Sequence, residues 1–323
     1  MKLLNMKKNI KRVIKVPISE LFGYYYCLFA KSYTKDALTI FCYHDVSDSP
    51  SEFSHNHDLN VLPSIFEYQI GYINKKFNVI SPDDLLAGKI PAHAALITFD
   101  DGFKSYFTNA IPILEKHNSP SIIFLNMAPI KGEIFWSGLI TYLSENSPDF
   151  NQHVATKIKV NLKEKPLFLY CSRKIVNSFL KTKNKTYRDE VNGYVGNFAT
   201  ENDLQSVSTN NLVYFGNHLY NHDVPLLMSD KELLKSYFKN DEELKKYPNS
   251  RNMFAFPFGQ PDSCFSNRQI ELIIENGARK IFSTYPILNS DTSAPYMHRI
   301  PLNSFNNTKA KIWFNILRRN FKI

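Results

Sequence analysis

Two carboxylates stand side by side in "ALITFDDGFKS", residues Ala95–Ser105, at the end of an apolar run. Adjacent like charges repel, and a turn or helix cap needs only one aspartate. At the end of a buried strand the pair could divide a task. One would hold a metal, and the other would stay unligated as a base beside a water. A metal needs further ligands, and "FGNHLYNHDVP" supplies His218 and His222 in an H-x3-H spacing after a second apolar run. That spacing lets two imidazoles meet one ion from a helical turn or a tight loop. Two histidines and one aspartate form a nitrogen-rich set suited to a transition metal such as zinc, nickel, cobalt or iron, not to calcium or magnesium. Non-haem iron oxygenases use the same donor set, which makes them a rival reading.

The elements that must position these residues argue against that rival, because such oxygenases sit on all-β scaffolds. Here β-rich runs recur at 38–44, 78–81, 95–99, 121–126, 212–216, 253–258, 280–284 and 298–302. Between them lie helix-like segments at 64–77, 105–117, 229–246 and 266–276. Strands alternating with helices predict a parallel α/β architecture. About eight such runs make a closed or nearly closed barrel the natural candidate, with its site at the strand C-terminal ends. One stretch, 132–200, breaks the rhythm and reads as a mainly helical insertion.

The 323 residues suffice for a full core, and 25 Phe with 18 Tyr suit a strand-rich interior. A net charge of +9 predicts an anionic partner. No nucleic-acid-binding motif accompanies it, which leaves a membrane surface or an acidic glycan. Four scattered cysteines, without a CxxC, read as reduced and structural. The first 17 residues carry Lys2, Lys7, Lys8, Lys11, Arg12 and Lys15, with apolar residues on the opposite helical face. They read as a basic amphipathic helix on a membrane surface, with an ordinary helix packed on the domain or an uncleaved anchor as the alternatives. The expected organisation is a segment 1–36, a catalytic barrel 37–305 and a closing helix 306–323.

Three motifs now occur in a fixed order: TFDDG at 98–102, H-x3-H at 218–222 and FAFPFG at 254–259, preceded by FCYHDVS at 41–47. This set resembles the polysaccharide deacetylase (NodB-homology) family over roughly 38–302. The resemblance implies a distorted (β/α)7-type barrel. It implies Asp100 as general base, and Asp101, His218 and His222 as ligands of a divalent metal, zinc first, with cobalt or nickel as alternatives. It also implies an oxyanion held by the backbone N–H of Phe258, and a late acid, for which "YMHRIP" offers His298. The family's third motif carries an Arg two residues before its Pro, where this chain has Ala255; Arg299 or Arg279 is a replacement to be tested. His44 could line the cleft, and Phe135, Trp136 and Tyr142 could form a sugar platform.

The activity implied is removal of an N-acyl group, first an N-acetyl group, from an amino sugar. The substrate would be a bacterial surface polysaccharide or its lipid-linked precursor, met in the cytoplasm at the inner membrane face. A deformylase of a lipid-linked amino sugar, or a non-catalytic glycan-binding relative favoured by the missing Arg, are the alternatives.

Overall fold

The computed structural model describes residues 20–28, 32–158 and 166–319. Nine strands hydrogen-bond in one sheet, and every pairing within it is parallel. Its main path uses β1 (Thr39–Tyr43), β2 (Ala94–Asp101), β3 (Ser121–Leu125), β4 (Val213–Asn217), β5 (Ser250–Ala255), β6 (Lys280–Ser283), β7 (Tyr296–His298) and β8 (Ile300–Pro301). The order is β7-β6-β5-β4-β3-β2-β1-β8, and the short strand Asn78–Val79 adds to β2. The two edge strands, β7 and β8, are separated in sequence only by Arg299. One segment therefore pairs with β6 on one side and with β1 on the other, drawing the sheet into a nearly closed barrel. Counting that segment once gives seven staves, as the resemblance implied.

Alternation along the strands sorts the core into two. Leu38, Ile40, Leu96, Ile122, Phe124, Ala255, Phe282 and Met297 fill the barrel interior. Phe41, Tyr43, Ile97, Phe99, Ile123, Leu125 and Phe215 face outward into a larger cluster that the surrounding helices cover. Those helices include α1 (Pro63–Lys76) and α2 (Ile111–Lys116), while the outward Phe254 and Ile281 meet α7 (Asp230–Leu244) and α8 (Asn267–Glu275) in a separate cluster. The last two start where expected, because Ser229 with Glu232 and Ser266 with Gln269 form capping boxes that satisfy orphan N–H groups. The closing helix α9 (Lys309–Leu317) buries Ile312, Trp313, Ile316 and Leu317 in the outer cluster.

Two strand boundaries differ from the sequence-based expectation. The run 253–258 ends as a strand at Ala255, because Pro257 has no N–H to give a ladder and Phe258 and Gly259 turn with φ of 60° and 62°. The run 298–302 is not one strand but the β7/β8 segment, interrupted where Arg299 turns its side chain into the barrel.

The stretch after β3 is helical, as expected. It contains α3 (Trp136–Asn146), α4 (Pro148–Ile158), α5 (Arg173–Lys183) and α6 (Arg188–Val195), around a cluster of its own. Phe135 and Trp136 are buried there, so they pack the insertion and do not offer a sugar platform. The basic segment 1–17 lies outside the described residues. No helix among the described residues is long and apolar enough to cross a membrane.

Candidate active site

Strand β2 runs through both aspartates, and neighbouring side chains on a strand point to opposite faces. Asp100 is in phase with Leu96 and Thr98 and points into the barrel mouth. Asp101 would point outward, but its φ of 74° leaves the extended region. That backbone turn brings its carboxylate back beside Asp100, and Asp tolerates such a conformation better than most residues. Both carboxylates are buried.

The histidines arrive on the loop that leaves β4. Leu219 and His222 also adopt positive φ, 61° and 59°, so a tight loop and not a helical turn sets the H-x3-H geometry. Three buried asparagines fix that loop. Asn126, at the end of β3, donates to the carbonyls of His218 and Leu219. Asn217 accepts from the Leu219 N–H at 3.0 Å, and Asn240 of α7 donates to Asn217 at 2.9 Å. Sequence reasoning missed all three. The only signal was an Asn at the end of each of two apolar runs.

The result is a cluster of Asp101, His218 and His222, all buried. Asp101 Oδ1 lies 3.6 Å from His218 Nε2 and 3.2 Å from His222 Nε2. His218 Nδ1 lies 2.7 Å from the Ala255 carbonyl, which fixes that nitrogen as the donor and leaves the Nε2 lone pair facing Asp101. Asp101 Oδ1 and His218 Nε2 are buried with no hydrogen-bond partner. Buried polar atoms left in this way require an explanation. A cation supplies one, because it would take the lone pairs of Asp101 and His218 at once; His222 likewise has a buried nitrogen, Nδ1, without a hydrogen-bond partner. Burial lowers the pKa of His218 to about 4 and that of His222 well below the ordinary histidine range. Both imidazoles are thus neutral, the form that binds metal. Burial, with the Asp100 charge beside it, pushes the Asp101 carboxyl well above its usual range, so its ionised form needs a positive partner. The donor set fits a transition metal.

Asp100 is held differently. Arg299 Nη1 reaches its Oδ1 at 2.6 Å and Nη2 its Oδ2 at 2.7 Å. Arg299 is further fixed by Thr98 Oγ1 at 3.2 Å and the Ser283 carbonyl at 3.2 Å. Burial alone would raise the Asp100 pKa, but the Arg299 guanidinium more than reverses this and holds it well below the usual carboxylate range. Arg299 therefore holds Asp100 from the segment that closes the barrel, with only β6 between that segment and the strand that ends at Ala255. Arg279 does not, since it donates to the Leu86 carbonyl at the surface.

His298 lies between Met297 and Arg299, which point into the barrel, so alternation puts it on the outer face. There its Nδ1 meets Ser283 Oγ at 2.9 Å, among the rings of Tyr285 and Tyr296. It is not among the groups gathered at Asp100. His44, at the C-terminal end of β1 and in phase with the interior, is: its Nε2 lies 3.9 Å from Asp100 Oδ2 and it is partly exposed. Phe258 lies beside the second histidine of the H-x3-H pair. Its ring packs 4.8 Å from that of His222 and stacks on Phe168 of the insertion at 4.5 Å.

The insertion also grips the loop that carries the two histidines. Arg173 donates from Nε and Nη2 to both oxygens of Asp223, at 2.7 and 3.0 Å, and its guanidinium lies 4.2 Å over the Trp136 ring. Phe135 packs 5.3 Å from His222.

The family model described as polysaccharide deacetylase matches residues 87–278, more than half of the chain. Among solved structures, IcaB from Ammonifex degensii is similar with a TM-score of 0.58 at 18% identity, covering 88% of this chain and 99% of that one. The Streptococcus pyogenes deacetylase PplD, solved with acetate, gives 0.58 at 14% identity, covering 88% and 99%. A de-N-acetylase from Aggregatibacter actinomycetemcomitans gives 0.51 at 15% identity, covering 83% and 95%. These likenesses concern the fold. No curated protein matches the chain by sequence. The matched segment contains Asp100, Asp101, His218, His222 and Phe258, and the chain belongs to the polysaccharide deacetylase family.

Proposed function

We propose that this polysaccharide deacetylase is a metal-dependent hydrolase that removes an N-acyl group, first an N-acetyl group, from an amino sugar of a bacterial surface polysaccharide or its lipid-linked precursor. The observation that carries the reading is the division of labour between neighbouring carboxylates. Asp101 joins two neutral imidazoles with unpaired buried lone pairs, and Asp100 is held ionised by Arg299.

Asp101, His218 and His222 would hold the cation, zinc in the first place. When bound, it supplies Lewis acidity toward the amide carbonyl oxygen and an attacking water. The protein's own groups account for the protons. Asp100 stays ionised at neutral pH and takes the proton that the water loses as it adds to the amide carbon. The Phe258 N–H donates to the developing oxyanion. As the C–N bond breaks, His44 gives a proton to the leaving amine, and the products are acetate and a free amino sugar. Assigning the acid to His44 follows from its place beside Asp100. The pairing of Arg299 with Asp100 supports this reading over a non-catalytic relative, which the Arg missing at position 255 had favoured.

The test combines metal content with acetate release from N-acetylglucosamine oligomers. Asp101→Asn is expected to lose the metal. Asp100→Asn is expected to keep it and lose turnover by roughly 10²–10⁴-fold. Unchanged metal content in Asp101→Asn, or turnover retained in Asp100→Asn, would overturn the reading.

A further inference from the structure

The helix at 20–28 is apolar on two sides. Its inner side packs on α9. Tyr26 is buried, its ring stacks on Phe314 at 6.4 Å, and Phe22 and Cys27 pack against the same cluster. The approach is so close that a Cβ on Gly23 would stand 2.0 Å from the Ala310 carbonyl oxygen, so only glycine fits there. At its start, Glu20 accepts from Thr308 Oγ1 at 3.1 Å. The helix is thus docked in one orientation.

That orientation leaves a second stripe outward. Leu21, Tyr24, Tyr25 and Leu28 are 71, 54, 52 and 78% exposed. Their spacing is i, i+3, i+4, i+7, which places them on one face of the helix. Isolated exposed leucines need no explanation, but an aligned stripe of large apolar side chains does. A cation stands beside it. Lys309 lies 5.5 Å over the Tyr24 ring. In sequence, six basic residues (Lys2, Lys7, Lys8, Lys11, Arg12 and Lys15) come before the first acid, Glu20.

We infer that this stripe is a docking surface for an anionic lipid bilayer. Leucine and tyrosine would enter the headgroup–acyl boundary while Lys309 and the bases that precede the helix in sequence would meet lipid phosphates. A protein partner would be served by the apolar stripe alone; Lys309 at the stripe and the run of bases that precedes the helix in sequence select the membrane. The inference is independent of the catalytic reading, because docking requires neither metal nor turnover.

The experiment is co-sedimentation of the full chain with phosphatidylcholine vesicles, with and without phosphatidylglycerol. The wild type is expected to bind the phosphatidylglycerol vesicles and to bind the neutral ones far more weakly. Leu21→Glu combined with Leu28→Glu should reduce binding by at least about tenfold. Both side chains are exposed, so the thermal midpoint and acetate release from soluble oligomers should not change. Lys7→Gln, Lys8→Gln and Lys11→Gln together should remove most of the preference for phosphatidylglycerol. Equal binding by the double variant, or no binding by the wild type, would overturn the inference. So would a wild-type dimer in solution that the double variant splits, since the stripe would then join two copies of the chain.

Discussion

Arg299 and Asp100, 199 residues apart in sequence, form a two-pronged ion pair in the barrel mouth, at 2.6 and 2.7 Å. The pair comes from the two strands that matter most to the site, the one that ends in the paired aspartates and the one that closes the barrel. Arg299→Lys keeps a charge but offers a point donor in place of a planar fork. Turnover is expected to fall by part of the roughly 10²–10⁴-fold that a positioned base contributes. Metal content should be unchanged. Arg299→Met removes the charge and leaves a buried carboxylate, at a stability cost of about 3–5 kcal/mol. The pH dependence has a definite sign. Arg299 lowers the Asp100 pKa, so weakening it raises that pKa. The base is then lost earlier as pH falls, and the acid limb of kcat/KM should move to higher pH in Arg299→Lys. An acid limb that stays in place would show that Asp100 is not the group Arg299 serves.

His44 and His298 make opposite predictions. His44 faces Asp100, and His298 lies on the outer wall with Ser283. His44→Gln should lower kcat about 10²-fold while metal is retained. Burial lowers the His44 pKa below its ordinary value, and Asp100 only partly offsets that. The imidazolium fraction therefore falls as pH rises through a value under the usual histidine range. A decline of kcat on that side in the wild type should flatten in His44→Gln. His298→Ala should change kcat by less than about twofold, since the group touches nothing at the reacting centre. A large loss in His298→Ala with an intact thermal midpoint would reverse the assignment.

Arg173 ties the insertion to the loop that carries His222. Its partner Asp223 is buried, and burial raises its pKa even against Arg173. Arg173→Ala would leave that carboxyl unpaired and free the loop. Groups that orient metal ligands typically contribute 10–100-fold in metal affinity. A loss of about that size is expected by titration with zinc against a competing chelator, with no change in fold by circular dichroism. Wild-type affinity in Arg173→Ala would mean that the asparagine clamp alone fixes the loop.

Much of this arrangement was legible in the sequence because it is local. The paired aspartates, the H-x3-H and the Pro-Phe-Gly turn each lie at the end of an apolar run, where a parallel barrel keeps its site. What was not legible depends on long-range phase. His298 and Arg299 are neighbours, and only the register of β7 and β8 against the rest of the barrel decides which one faces inward. The motif pointed to the histidine, and only the folded register shows that the arginine is the one paired with Asp100. The Asp223–Arg173 tie was hidden for a related reason. It joins an insertion to a loop 50 residues away, and no spacing rule connects them. Trp136 looked like a glycan platform from its aromatic neighbours, but the insertion needed it to close a core of its own.

Gly216 offers a test of how tightly the barrel interior is coupled to the base. It lies on β4 in register with Phe124 on β3. A Cβ there would stand 2.5 Å from the Phe124 ring, and that ring lies beneath Arg299, 5.3 Å from the guanidinium carbon. Gly216→Ala must push the ring toward Phe282, whose centroid is 5.3 Å away, or toward Arg299. Overpacking of this kind costs about 1–3 kcal/mol, which should appear as a lower thermal midpoint. Turnover should fall as well, because the displaced ring disturbs the guanidinium that holds Asp100. Phe124→Leu in the same chain makes room for the new methyl group. The double variant should recover part of both losses, with a coupling of about 0.5–3 kcal/mol between the sites. Additive losses would mean that the ring yields without touching Arg299, and that the base is insulated from packing in the barrel.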